Sequence, residues 1–146
     1  MEIRLMNIKD YTDVYRLWNN TPGMGLNATD DSEEGIRKYL KRNPSTCFVA
    51  EENDDIIGVI MSGHDGRRGF IHHTAVKASE RKRGIGGLLV KHAMTALENE
   101  GINKVALVVF DKNEIGNSFW ENQGFTCRED LNYRNKNIND LRRIDT

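Results

Sequence analysis

The spacing of apolar residues changes period several times along the chain, and each change marks an element. Ile3 and Leu5 flank Arg4 in an alternation that predicts an opening strand, and Tyr11, Val14, Tyr15 and Trp18 then recur at helical spacing. Thr21-Pro22-Gly23-Met24-Gly25-Leu26 breaks that pattern. Asp30, Asp31 and Ser32 supply capping and acidic first-turn chemistry for a second helix around Ile36, Tyr39 and Leu40, closed by Pro44. Two apolar runs, Cys47 to Ala50 and Ile56 to Met61, joined by the turn Asn53-Asp54-Asp55, predict an antiparallel hairpin, and a third run, Phe70 to Val76, continues the meander.

After Val76 the character changes. A polar stretch, Lys77 to Arg83, runs into Gly84, and Ile85, Leu88, Leu89, Ala93, Ala96 and Leu97 then follow a period near 3.6 until Gly101. Val105 to Phe110 is continuous and β-branched, the pattern of a strand covered on both faces. Strand, crossover helix and strand predict a parallel pair. A shorter helix over about Glu114 to Asn122, ended by Gly124, leads to closing strands expected near Phe125 to Cys127 and Leu131 to Tyr133. No repeat or linker divides the chain, so residues 1–146 are expected to form a single domain, with 136–146 polar enough for a mobile tail.

Composition narrows the function classes. At 146 residues the chain can bury a self-sufficient core, and 21 Lys+Arg against 22 Asp+Glu leave a net charge of −1, which gives no global case for nucleic acid or an anionic membrane. Any anion site must be local. Cys47 and Cys127 stand far apart without a CxxC partner, so neither a zinc site nor a disulfide framework is expected, and no metal is implied. The run Val105 to Phe110 is too short to span a bilayer, and the start Met1-Glu2-Ile3-Arg4-Leu5 lacks the apolar block of a secretory signal; a cytoplasmic location is expected.

The candidate chemistry lies in Val76-Lys77-Ala78-Ser79-Glu80-Arg81-Lys82-Arg83-Gly84-Ile85-Gly86-Gly87, where a strand hands over to a helix. A helix N-terminus offers unpaired amides and the positive end of the dipole, and glycines let a phosphate approach that backbone. By residue type alone the stretch reads equally as a solvated basic turn. Neither Gly-x-x-x-x-Gly-Lys-Ser/Thr nor Gly-x-Gly-x-x-Gly occurs, since Gly84-Ile85-Gly86 is followed three residues on by Leu89.

Arg81-Lys82-Arg83-Gly84-Ile85-Gly86 resembles the Arg/Gln-x-x-Gly-x-Gly/Ala signature of the GNAT family of N-acetyltransferases, between a strand ending Thr74-Ala75-Val76 and a long helix. Asn113 to Phe125 is similar to the family's second motif, an Asn opening a short helix that ends in an aromatic pair and Gly-Phe. The resemblance implies a mixed α/β (α+β) sheet flanked by helices, in which parallel strands 4 and 5 splay apart around acetyl-CoA as cosubstrate. The backbone of Thr74, Ala75 and Val76 would pair with the pantetheine arm, amides from Arg81, Lys82, Arg83, Gly84, Ile85 and Gly86 would hold the pyrophosphate, Asn113 would bond the arm, and Phe119 and Trp120 would pack nearby. Homodimers are common in such a family, although the sequence marks no interface.

The implied activity is acetyl transfer to a primary amine of a small-molecule or peptide acceptor, by direct attack in a ternary complex. The sequence departs from the family pattern at Ala78, where Pro is usual, at Lys82, where Gly is frequent, and at Trp120, where a Tyr often serves as general acid. Indole cannot transfer a proton as phenol does, so the acid is open among Ser118, Tyr133 and water. An attacking amine must be neutral, and His72 is the candidate base: strand alternation puts Phe70, His72, Thr74 and Val76 on one face and turns His73 away. His72 also reads as a packing residue. Met24, Leu26 and Asn27 occupy the loop that commonly lines the acceptor cleft in the family. The rival function is an acetyl-CoA-binding regulatory or sensor module with little turnover.

Overall fold

A computed structural model describes residues 1–144. Five strands form one sheet in the order β1-β2-β3-β4-β5: β1 (Glu2–Leu5), β2 (Phe48–Glu52), β3 (Asp55–His64), β4 (Gly69–Val76) and β5 (Val105–Ala106). The first four pair antiparallel and β5 lies parallel to β4. Helices α1 (Tyr11–Asn19) and α2 (Glu33–Arg42) cover one face, where Val14, Leu17, Trp18, Ile36 and Leu40 meet Val49, Val59, Met61 and Ala75. Helix α3 (Ile85–Asn99) covers the other, bringing Ile85, Leu89, Val90 and Ala93 against Ala50, Ile57, Ile60 and Ile71, and α4 (Glu114–Asn122) adds Phe119 and Trp120 to that side.

Local chemistry explains the boundaries. Ser32 caps α2 by accepting from the Gly35 amide at 3.0 Å. Gly101, at φ 81°, ends α3, with the Gly101 amide on Glu98 O (2.9 Å) and the Ile102 amide on Leu97 O (3.1 Å), which satisfies carbonyls the last turn leaves open.

Three expected strands differ. The apolar run from Val105 to Phe110 forms ladder pairs only at Val105 and Ala106, opposite Gly69 and Phe70. Beyond them β4 and the run diverge, and a strand without a neighbour has nothing to bond. The closing strands expected near 125–127 and 131–133 do not form among the described residues: Phe125 turns back to Trp120 O (3.0 Å) and packs on the α3 face, whereas Leu131 and Tyr133 are exposed. Arg128 pairs with Asp130 (2.8 Å) in a local turn between them.

Part of the stretch expected as a mobile tail runs back to the loop between α1 and α2. The Ala28 amide donates to Arg142 O and the Ile144 amide to Leu26 O, both at 2.8 Å, around an Asn27–Arg143 bridge. The remainder of that expectation, 145–146, lies outside the described residues.

Candidate active site

The site begins where β4 and β5 part. Their pairing stops at Phe70, so β4 from Ile71 to Val76 is bonded to β3 on one side and has no strand on the other. The backbone groups along Thr74 to Val76 that alternate away from β3 therefore face the gap, which is costly unless water or a ligand satisfies them. The Thr74 hydroxyl is buried with no partner among the described residues. The Val76 carbonyl accepts from Arg81 Nε at 3.3 Å.

β4 does not keep strict alternation. Val59 pairs with Ala75 and Met61 with His72, so one residue on β3 faces two, His73 and Thr74, on β4. This is a β-bulge, with His73 at φ 42°. The extra residue shifts the phase, which corrects the expected shared face: His72 and His73 both turn toward α1 and α2, while Val76 packs against the α3 side. His73 is thus not turned away. Its Nε2 meets Asp31 Oδ1 at 2.7 Å, its carbonyl accepts from Trp18 Nε1 at 3.1 Å, and its ring stands edge-on to Trp18 at 5.1 Å.

His72 lies against Phe70 (centroids 4.7 Å) and edge-on to Tyr39 (5.7 Å). Desolvation among these rings, then the neighbouring His73, pushes its pKa from 6.5 down to about 4, against the opposing pull of Asp31 and Asp30. The residue keeps an exposed edge, where water softens the shift without reversing it. His72 is neutral at pH 7 and a weak base.

Before α3 the chain turns through two left-handed residues, Lys82 (φ 66°) and Gly84 (φ 77°). Gly84 caps α3 without a side-chain bond. Leu88 is the first amide of the helix bonded back, to Gly84 O at 3.1 Å, which leaves the amides of Ile85, Gly86 and Gly87 open. Arg83 is held by Glu52 (2.8 Å) and Glu80 (2.5 Å), so its charge is largely answered by carboxylates, whereas Lys82 is exposed and has no ion pair among the described residues. Phe119 of α4 lies directly on Gly86: a Cβ built there would stand 2.8 Å from Phe119 Cε1. Trp120 packs edge-on between Phe119 (5.0 Å) and Phe125 (5.2 Å).

Asn113 has a use that the sequence reading did not assign. Its Oδ1 accepts from the Gly116 amide at 2.9 Å, capping α4, and its amide lies over Gly23. Asn117, absent from the expected set, ties the preceding loop by donating to Phe110 O (3.0 Å) and Asn113 O (2.9 Å). In the α1–α2 loop, Leu26 is fully buried in the core and cannot present itself to an acceptor, which removes it from the expected substrate-contacting group. Asn27 Oδ1 accepts the Thr29 and Asp30 amides, and Met24 is partly buried. Ser118 is exposed on α4 and Tyr133 on the segment beyond it.

Among the described residues no group of three or more His, Cys, Asp or Glu could hold a metal ion, and no helix is long and apolar enough to cross a membrane.

Comparison with solved structures finds the same architecture in proteins of low sequence identity. Rv2747 from Mycobacterium tuberculosis, in complex with CoA, is similar with a TM-score of 0.70 at 19% identity, over 88% of this chain and 74% of that one. Ard1 from Thermoplasma volcanium matches with a TM-score of 0.72 at 22% identity, over 86% and 82%. An aminoglycoside acetyltransferase from an uncultured soil metagenomic sample, in complex with sisomicin, matches with a TM-score of 0.72 at 17% identity, over 94% and 96%. A family model described as the acetyltransferase (GNAT) family matches residues 11–125. With the splayed β4 and β5, the open amides of α3 and that match over most of its length, the chain belongs to the GNAT family of acyltransferases.

Proposed function

We propose that the chain transfers the acetyl group of acetyl-CoA to a primary amine by direct attack in a ternary complex, as one cytoplasmic N-acetyltransferase domain. The main support is the coincidence of two features: open amides at Ile85, Gly86 and Gly87, and the side of β4 along Thr74 to Val76 that has no neighbouring strand among the described residues. The first suits a diphosphate and the second an amide-bearing arm. The turn from Arg81 to Gly84 adds left-handed backbone of the kind that curls amides toward an anion, and Lys82 adds an exposed charge with no ion pair among the described residues. Acetyl-CoA supplies the activated acyl group. The chain's own part is to hold it, exclude water with the Phe119 and Trp120 wall, and take a proton from the acceptor.

Asn113, whose Oδ1 caps α4, retains an amide facing Gly23 and so reaches the cleft as a donor. Met24 and Asn27 sit on the loop expected to meet the acceptor. Free Cys47 and Cys127 fit a reducing compartment. Trp120 favours a second reading, a CoA-binding module with little turnover, because it replaces a titratable phenol with an indole between two rings.

Calorimetry with CoA and thiol release from acetyl-CoA across a panel of amines test both readings. An aminoglycoside, an amino sugar phosphate, a polyamine, lysine and a peptide N-terminus span the acceptor chemistries. Acceptor-dependent release supports the transferase. Heat of CoA binding without release supports the module, and no heat removes both.

A further inference from the structure

Asp31 is 4% exposed, and none of its bonds among the described residues comes from lysine or arginine. Its Oδ2 accepts the Asn27 amide at 2.8 Å and its Oδ1 lies 2.7 Å from His73 Nε2. An ionised carboxylate only accepts, so the shared hydrogen resides on Nε2, and Nδ1 carries the lone pair. Among the described residues Nδ1 makes no bond, and the His73 side chain stays 16% exposed. The arrangement is held on every side: Trp18 Nε1 donates to His73 O at 3.1 Å, the Tyr11 hydroxyl donates to Asp31 O at 2.7 Å, and the bulge keeps His73 at φ 42°. A left-handed non-glycine residue is strained, and such strain concentrates at working positions.

We propose that His73, not His72, takes the proton of the acceptor ammonium, with Asp31 as its positioning residue; the proposal rests on the transferase reading. In the step, an N–H bond of the ammonium breaks and its proton joins Nδ1, leaving a neutral amine that keeps the electron pair. The ring becomes imidazolium with Nε2–H still on the Asp31 carboxylate, and Nδ1 later returns its proton to water. The bulge places His73 immediately before Thr74, at the start of the unpaired edge, and Asp31 belongs to the segment between α1 and α2, so the pair joins the two sides of the cleft. The titratable groups around it are His72 on β4 (ring centroids 6.1 Å), Asp30 beside Asp31, Tyr11 on α1 and Tyr39 on α2 against His72. His73 has a carboxylate bonded to its ring, whereas among the described residues His72 has none.

The test compares His73→Asn, His72→Asn and Asp31→Asn with the parent in acetyl-CoA thiol release from pH 6 to pH 10, using the best amine of the panel. Asn tolerates the left-handed backbone, although its shorter side chain does not reach the Nε2 position that meets Asp31; thermal unfolding and CoA calorimetry check that the fold survives. In His73→Asn, kcat/KM falls about 10²- to 10⁴-fold at pH 7, the range of a general base, and recovers as pH passes the acceptor's own pKa. Asp31→Asn moves the acid limb of the profile to lower pH. NMR of the imidazole nitrogens finds Nε2–H in the neutral form. A His73→Asn profile parallel to the parent, a larger loss in His72→Asn, or the opposite tautomer overturns this inference alone. A parent that binds CoA and acetylates no amine overturns it together with the transferase reading.

Discussion

At Gly86 there is no room for a methyl group, because the Phe119 ring would stand 2.8 Å and 3.0 Å from it at Cε1 and Cζ. Gly86→Ala must push that ring and its own open amide apart. Expected results are a loss of about 1–3 kcal/mol in unfolding free energy, the usual cost of overpacking, and CoA affinity about tenfold weaker, equivalent to about 1.4 kcal/mol. Denaturant titration and calorimetry check both; a variant matching the parent in each would show that this contact is slack. The glycine is conspicuous in the sequence, but the aromatic ring above it is not, since 33 residues separate Gly86 from Phe119. His73 was hidden for a different reason. Period-two alternation assumes one residue per partner, and nothing in Ile71-His72-His73-Thr74 announces that β4 holds two residues against one.

The elements differ in how far local pattern determines them. Helices α3 and α4 follow from the apolar period and from Gly101 and Gly124, because caps and amphipathic faces are written within a few residues. Asn113→Ala removes the Oδ1 acceptor for the Gly116 amide, so α4 is expected to lose about 1 kcal/mol, typical of an N-cap. Hydrogen exchange should then speed up from Glu114 to Asn117 while α3 keeps its protection; equal protection in both forms would assign the cap no energetic weight. Strand β5 shows the opposite case. Its apolar run from Val105 to Phe110 has strand chemistry throughout, yet only Val105 and Ala106 find a partner, and Val108 and Phe110 are left exposed. A ladder is a property of two segments, and divergence from β4 ends it whatever the residues prefer. The same holds for 125–127 and 131–133, where apolar residues have no edge to join.

For the whole molecule, stability should fall on acidification in two stages. His72 is held near 4 in the fold against 6.5 when unfolded, so between those values the unfolded chain binds more protons, and stability declines as pH drops from 6.5 toward 4. Asp10 follows. Burial alone would raise its pKa, but the Arg4 fork (2.9 Å to each oxygen), the Asn7 amide and the Arg4 charge outweigh that and hold it below 3.8, so its contribution is lost as pH falls below 3.8. Unfolding midpoints at pH 7.5, 5 and 3.5 should show both stages, with His72→Gln flattening the first and leaving the second; an unaltered first stage would dissociate His72 from it. Periodicity, glycine placement and the spacing of two short motifs determined the helices, the order of the first four strands, the parallel crossover and the turn before α3, because caps, turns and amphipathic faces depend on neighbours within a turn or two of chain. Tertiary structure alone decided where β4 and β5 part, that Leu26 lies in the core, and that Asp31 meets His73 across 42 residues. Those outcomes come from packing two helical layers on a bulged sheet, and residues distant in the chain carry no local sign of which of them will meet.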